Sequence, residues 1–181
     1  MMISLLENWD RAFENAVKAI KEKKVVVYPT DTAYNIGSAL DEGVADKIEK
    51  ITGTEPSCVI IANLEMLLKY FDLDDEEKKY ITQNCPGPYV FMLKPKSKMG
   101  IEDTKGNIGV MIPNHRFIRK VCFESNVPII AVPCVLENKE IVEKIDLVIE
   151  SGKATAAKEP TVINIRERRI EKQGAGEFNF E

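Results

Sequence analysis

A polar segment with functional side chains follows a short run of β-branched residues near the N-terminus. The run Val25-Val26-Val27 predicts a buried strand, and residues 28–34 that follow it read Tyr-Pro-Thr-Asp-Thr-Ala-Tyr. Pro29 ends the ladder pairing of this strand where two hydroxyls, a carboxylate and a phenol begin. Such groups can hold a small polar ligand, although Thr and Asp also satisfy their own backbone in ordinary polar turns.

A second candidate lies on a predicted helix that begins near His115. Arg116 and Lys120 stand four residues apart, so their side chains face the same side of this helix. That face either contacts RNA or phosphate, with His115 and Arg116 as the contacts, or is an ordinary solvated face. Because no Ser or Cys nucleophile motif lies beside the imidazole, we expect His115 to cap the helix start rather than to act as an acid or base.

A third group of candidates is a basic cluster near the C-terminus. Two glutamates interrupt it, and they weaken any attraction of the cluster for nucleic acid. The cluster consists of Arg166, Arg168, Arg169 and Lys172.

The composition predicts one globular, cytoplasmic domain. The chain has 181 residues, of which 44% are hydrophobic and 30% are charged, and this suits a single packed core. The net charge of −4 argues against a broad nucleic-acid surface, because such surfaces bind phosphate through Lys and Arg. The sequence shows neither a signal peptide nor an apolar run of membrane-spanning length, so we expect no membrane contact.

The cysteines do not suggest a metal site. The four cysteines lie far apart without a Cys-x-x-Cys pair, and His115 is the single histidine, so no protein-bound metal is expected. Cys58, Cys122 and Cys134 lie in or beside apolar runs, where a reduced thiol behaves as a small hydrophobic side chain.

Strand and helix patterns alternate along the chain and predict a mixed α/β fold. A capping box over residues 4–7 predicts the start of the first helix. Further helices are predicted over residues 41–51, 64–71, from 74 onward and over 115–123. Strands are predicted over residues 25–28, 58–61, 89–93, 108–112, 127–132, 146–149 and 161–165, with Ile170 in a last one. Neighbouring strands are connected too closely for simple parallel crossovers, which favours a mixed sheet with surrounding helices.

Several motifs in the correct order resemble those of the YrdC-like family, whose best characterised members are threonylcarbamoyl-AMP synthases of tRNA modification. Residues 28–34 resemble its opening motif, and Pro86-Gly87-Pro88-Tyr89-Val90-Phe91 resembles its Pro-Gly-Pro-x-Thr strand entry. Residues 109–115 are similar to its Gly-Val-Arg-x-Pro-x-His, and residues 159–163 to its Ser-Thr-Val-Val segment. The resemblance implies a YrdC-like domain over residues 1–173, with a twisted mixed sheet around a large concave cleft. Residues 174–181 show no periodicity, so we expect a loose or lightly docked tail there.

The resemblance also implies a reaction and its site residues. The family joins ATP, L-threonine and bicarbonate into threonylcarbamoyl-AMP and pyrophosphate, with Mg²⁺ accompanying ATP, and the product modifies an adenosine of tRNA. Substrate-binding residues would be Thr30, Asp31, Thr32 and Tyr34. Lys50 would be the catalytic and nucleotide-binding lysine, with further nucleotide contacts from Thr161 and from Lys172, where an arginine is common.

Other positions depart from the family pattern towards fewer cations and polar groups. Thr52 and Met111 stand where the family has arginines of its Lys-x-Arg and Gly-Val-Arg motifs. Pro133-Cys134-Val135 replaces Ser-Ala-Asn, Pro160 replaces a serine, and Asn35 replaces a glycine. Charge-assisted hydrogen bonds contribute about 1.5–3 kcal/mol each, so losing two or three would remove most of the ATP affinity or rate.

Two functions of different classes therefore remain open. The first is a divergent, active nucleotidyltransferase that uses Lys50 and Mg²⁺ on ATP and the segment from Thr30 to Tyr34 on threonine. The second is a non-catalytic paralogue that binds a nucleotide, tRNA or other double-stranded RNA, or a protein partner through the cleft. The order of the motifs indicates descent from the enzymes of the family, which favours the first function. The missing cations indicate a loss of the catalytic mechanism, which favours the second.

Overall fold

The computed structural model describes residues 1–134, 136, 139–152 and 159–181. Within them the fold is mixed α/β, with strands in two mixed sheets, and the predicted fold class is confirmed. Val135, which belongs to one of the departures from the family pattern, lies outside the described residues.

The elements alternate along the chain. The strands are β1 (Met2–Ser4), β2 (Val26–Pro29), β3 (Tyr34–Gly37), β4 (Cys58–Ile60), β5 (Tyr89–Leu93), β6 (Ile108–Met111), β7 (Ile129–Ile130), β8 (Val132–Cys134), β9 (Leu147–Glu150), β10 (Thr161–Asn164) and β11 (Arg169–Lys172). The helices are α1 (Trp9–Lys21), α2 (Glu42–Thr52), α3 (Leu64–Tyr70), α4 (Asp75–Asn84), α5 (Arg116–Ser125) and α6 (Lys139–Val142).

The first sheet has the order β1-β9-β2-β3-β8. Its centre is the fully buried β2, which pairs in parallel with β9 and antiparallel with β3. Pro29 lies opposite Tyr34 at the end of the β2–β3 pair, so the intervening polar residues form a tight corner at the edge of the sheet. The register of this hairpin therefore positions the motif that the sequence singles out.

The second sheet has the order β11-β10-β5-β6-β4-β7 and touches the first sheet near Gly37. A side chain at Gly37 would collide with the carbonyl of Ile130, which accepts a hydrogen bond from Tyr28 Oη at 2.7 Å. Only glycine fits such a close backbone approach. The strand predicted over residues 127–132 is wrong as one element, because the chain changes sheets at Ala131, whose amide donates to Cys58 O at 2.9 Å.

Helix starts follow local capping chemistry, with one correction. The predicted capping box over residues 4–7 is wrong, because Ser4 ends β1 and Asn8 Oδ1 accepts the hydrogen bond from Arg11 N at 3.0 Å. Capping by side chains is observed at the predicted starts of α2, α3 and α4, at Asp41, Asn63 and Asp74. In the described ranges, no helix has both the length and the apolar character needed to cross a membrane.

Residues 174–181 are docked onto the second sheet and α4. Phe178 is only 6% exposed, and its ring centroid lies 5.3–6.3 Å from those of Tyr80, Tyr89 and Phe91. The backbone passes so close to Tyr89 that a side chain at Gly176 would collide with the ring. The segment that we predict as a tail therefore contributes to the hydrophobic core.

Replacing Phe178 with Ala should lower the free energy of unfolding by about 3–5 kcal/mol, because it removes a buried aromatic ring. The matched control is Phe123→Ala, since Phe123 is 60% exposed. That control should change the free energy of unfolding by less than about 0.5 kcal/mol. Chemical denaturation of both variants measures the difference, and equal effects would contradict a docked C-terminal segment.

Candidate functional site

The corner between β2 and β3 is a turn closed by the hydroxyl of Thr30. Thr30 Oγ1 donates to Ala33 O at 2.7 Å and accepts from the backbone amides of Thr32 and Ala33 at 3.3 and 3.1 Å. Asn35 Nδ2 donates to the same hydroxyl oxygen at 3.3 Å. The predicted substrate contact Thr30 thus has its hydroxyl engaged within the turn.

Two further predicted contacts also have partners within the chain. Thr32 is 3% exposed, and its Oγ1 lies 3.3 Å from Thr30 Oγ1. The Tyr34 phenol accepts from Ser151 N at 2.9 Å and donates to Gly152 O at 2.6 Å, so it ties the corner to the chain that leaves β9. These groups shape the corner, and their role in binding substrate stays a prediction.

Asp31 differs from its neighbours because one of its carboxylate oxygens is buried without a partner. Its Oδ2 accepts from Asn114 N at 2.9 Å, whereas its Oδ1 has no hydrogen-bond partner among the described residues. Asp31 lines a cavity of about 470 Å³ that also reaches Trp9, His115 and Arg116. We call this cavity, between the corner and the start of α5, the corner cavity.

His115 occupies the N-cap position of α5 but makes no capping hydrogen bond through its side chain, so the predicted capping role is wrong. Its Nδ1 is buried and unpartnered in the described part of the chain. Burial lowers the pKa of His115, and the nearby Asp31 carboxylate opposes that shift in part. The imidazole is therefore neutral at neutral pH, and the first amides of α5 leave a partial positive charge at the cavity.

Arg116 and Lys120 face the same side of α5, as their spacing predicts. The Arg116 guanidinium lies 5.9 Å from the centroid of the Trp9 ring, and Lys120 Nζ lies 5.9 Å from that of Phe13. Both cations thus cover aromatic residues of α1. Arg116 also lines the corner cavity, so both a carboxylate residue, Asp31, and a cationic residue belong to its lining.

A second cavity of about 220 Å³, which we call the cleft, has Asn35 in its lining. Several of the positions that depart from the family pattern line it together. Its walls are mainly apolar or contain sulfur and include Cys58, Met92, Met111, Pro133, Pro160 and Val162. The structure thus collects at one place the substitutions that the sequence shows as separate changes.

Lys172, a predicted nucleotide contact, lines the cleft together with Glu159, and the two form an ion pair. Among the described residues that line the cleft, these are the charged ones. The pair is more than half exposed, with side-chain exposures of 56% for Lys172 and 59% for Glu159. The positive charge of Lys172 is therefore compensated by a neighbouring carboxylate, which our sequence prediction missed.

The other two predicted nucleotide contacts lie apart from Lys172. Lys50 is exposed in the last turn of α2 and is not among the residues that line the cleft or the corner cavity. Thr161 is fully buried, and its Oγ1 donates to Gly176 O at 2.6 Å and accepts from Gly174 N at 2.9 Å. The nucleotide-binding roles of both residues stay predictions.

The arginines of the C-terminal basic cluster are paired with carboxylates. Arg166 donates two hydrogen bonds, of 2.9 and 3.0 Å, to the buried Glu77. In the sequence, Glu77 is one of several acidic residues at the start of α4, and nothing there indicates that its carboxylate is buried. Arg168 pairs with Glu76, and Arg169 pairs with neighbouring glutamates. The positive charge is thus compensated locally.

The thiols are neutral side chains in this fold. Burial raises the pKa of Cys58, Cys85, Cys122 and Cys134 to about 12 in each case. Across the described ranges, no cluster of His, Cys, Asp or Glu has the arrangement of a metal site.

His115 should make the stability of the fold sensitive to acid. Its pKa is lowered in the folded state, so the unfolded chain binds a proton first as the pH falls through the ordinary value of 6.5. The free energy of unfolding should therefore decrease as the pH falls below that value, and His115→Gln should reduce the decrease. Chemical denaturation of both proteins at several pH values measures this difference, and identical pH profiles would contradict a buried neutral imidazole.

The chain is similar in sequence to known proteins. Residues 18–174 match the model of the Sua5, YciO and YrdC family, described as telomere recombination. A protein of Methanocaldococcus jannaschii, provisionally named threonylcarbamoyl-AMP synthase, is 31% identical over 178 residues, which cover 91% of this chain and 85% of that protein.

Solved structures share the fold. The structure of Pyrococcus abyssi Sua5 complexed with L-threonine is 26% identical, with a TM-score of 0.78 over 91% of this chain. The chain spans only 54% of that Sua5 chain. The structure of Escherichia coli YciO is 23% identical, with a TM-score of 0.81, and the match covers 92% of this chain and 91% of YciO.

Proposed function

Because the chain belongs to the Sua5, YciO and YrdC family, we propose that it binds a small amino acid of the threonine type in the corner cavity. We also propose that it does not convert this ligand into an acyl adenylate at an enzymatic rate. The names of the Methanocaldococcus relative and of the threonine-bound Sua5 structure support the ligand class. The cleft supports the absence of turnover.

The unpartnered Asp31 Oδ1 is the observation that carries the binding proposal. A buried polar atom without a partner is rare in native folds, and the ammonium group of an amino acid would satisfy it through a charge-assisted hydrogen bond. The carboxylate of the same ligand would face the first amides of α5 and Arg116, where a helix N-terminus favours negative charge. His115 Nδ1 is likewise buried without a partner among the described residues, and a ligand hydroxyl that reached it would satisfy it.

The chemistry of the cleft argues against adenylyl transfer. Such a reaction concentrates negative charge in its transition state, and enzymes stabilise that charge with clustered cations and Mg²⁺. Met111 and Pro133 offer neither a cation nor a hydrogen-bond donor to a phosphate, and Lys172 is already paired with Glu159. Two missing charge-assisted contacts would slow the reaction by about 10²- to 10⁴-fold.

A divergent synthase is the second candidate, and the exposed Lys50 and the retained corner favour it. Lys50 lies at the end of α2. In this reading Mg²⁺ enters with ATP as part of the substrate, and the residues around Lys50 would have to hold the phosphates. Binding to tRNA or other double-stranded RNA stays a separate prediction, which the local pairing of Arg166, Arg168 and Arg169 weakens.

Calorimetric titration with L-threonine tests the binding proposal. The purified chain should bind L-threonine, and Asp31→Asn should weaken the affinity at least about tenfold, because it removes the charge that faces the ammonium group. An Asn side chain can still accept the hydrogen bond from Asn114 N, so this variant should keep its fold.

Asp10→Asn is the matched control, since Asp10 is an exposed residue in the first turn of α1. Its threonine affinity should equal that of the unmodified chain. Absence of threonine binding at millimolar concentration, or equal affinities for the Asp31 and Asp10 variants, would contradict the proposal.

A further inference from the structure

We propose that Glu159 determines the ligand selectivity of the cleft, which takes an uncharged aromatic ring in preference to the phosphorylated form of the same ligand. The inference deepens the proposed function, because it rests on the same view of the cleft as a poor phosphate site. Neither threonine binding nor turnover enters its test. It therefore stands or falls separately from the corner cavity.

The walls of the cleft suit an aromatic ring. Met92, Met111 and Cys58 bring two thioethers and a thiol to a cavity of about 220 Å³. Sulfur atoms make favourable contacts with aromatic rings, worth about tenfold in affinity at most for each contact. The raised pKa of Cys58 keeps its thiol neutral, so these walls add no charge.

Asn35, a polar residue that lines the cleft, is neutral and fixed in position. Asn35 is 3% exposed, and its Nδ2 donates to Thr30 Oγ1 and to Ala33 O, at 3.3 Å in each case. Both N–H donors of this carboxamide are therefore engaged, and its carbonyl oxygen is the group that would accept a hydrogen bond from a heterocycle. Asn35 therefore adds a fixed, uncharged acceptor to the apolar contacts of the cleft.

The ion pair between Glu159 and Lys172 disfavours anions. The backbone of Glu159 is held in place, because its carbonyl accepts a hydrogen bond from Ala175 N at 2.8 Å and Pro160 packs against Gly174. A phosphate that reached Lys172 would have to displace the Glu159 carboxylate and remain beside it. The phosphate and the Glu159 carboxylate would then repel each other as neighbouring negative charges, whereas an uncharged ring leaves the ion pair intact.

The exposure of the pair makes Glu159 suitable for substitution. Exposed ion pairs contribute little to folding, so Glu159→Gln should leave the fold intact. The matched control is Glu171→Gln, because Glu171 pairs with Arg169 at 2.8 Å and does not line the cleft. Both variants remove one negative charge, so they have the same net charge.

Adenosine and AMP are suitable probes, because they differ only by one phosphate. In calorimetric titrations the unmodified chain should bind adenosine more tightly than AMP, by about threefold or more. Glu159→Gln should raise the ratio of AMP affinity to adenosine affinity about five- to tenfold, because it removes the repelling carboxylate. Glu171→Gln should change neither affinity by more than about twofold.

Three results would overturn the inference. The first is tighter binding of AMP than of adenosine by the unmodified chain, and the second is an AMP affinity that Glu159→Gln and Glu171→Gln change equally. The third is an absence of binding for both probes at millimolar concentration, which would exclude this aromatic ligand class from the cleft. Each of these results would leave threonine binding in the corner cavity untouched.

Discussion

The hydrogen bond from Asn114 N to Asp31 Oδ2 joins the two halves of the candidate site. Asp31 belongs to the β2–β3 corner of the first sheet, whereas Asn114 lies between β6 of the second sheet and α5. By using one carboxylate oxygen, this bond fixes the position of the other beside the start of the helix. The charge arrangement of the corner cavity depends on this contact, because it sets an anionic group opposite Arg116 and the positive end of α5.

The site divides into a polar and an apolar compartment that one side chain connects. Asn35 lines the apolar cleft and donates to Thr30 Oγ1, which holds the corner in place. On one side the corner cavity offers charge complementarity to a small zwitterion. On the other side the cleft offers Met111 and other apolar groups where a phosphate would need cations. Under the proposed function, this division would let the family fold bind a small amino acid without activating ATP.

Local chemistry made much of the fold predictable, and long-range contacts explain what was missed. Asp41 caps α2 as predicted, because a cap depends on neighbouring residues alone. Ser4 and Ala131 were misassigned, since pairing of β1 with β9 and the change of sheets depend on distant partners. At the site, the motif located Thr30 but not the partners of its hydroxyl, and Glu159 meets Lys172 only through the β10–β11 hairpin.

Threonine-dependent release of pyrophosphate from ATP, with Mg²⁺ and bicarbonate present, tests the central claim most directly. The claim is that this family member keeps the amino-acid site and lacks the phosphate chemistry. The predicted result is that L-threonine does not raise pyrophosphate release above the rate measured without it. Threonine-dependent release at about 1 s⁻¹ or faster, an ordinary turnover rate for an enzyme, would contradict the account.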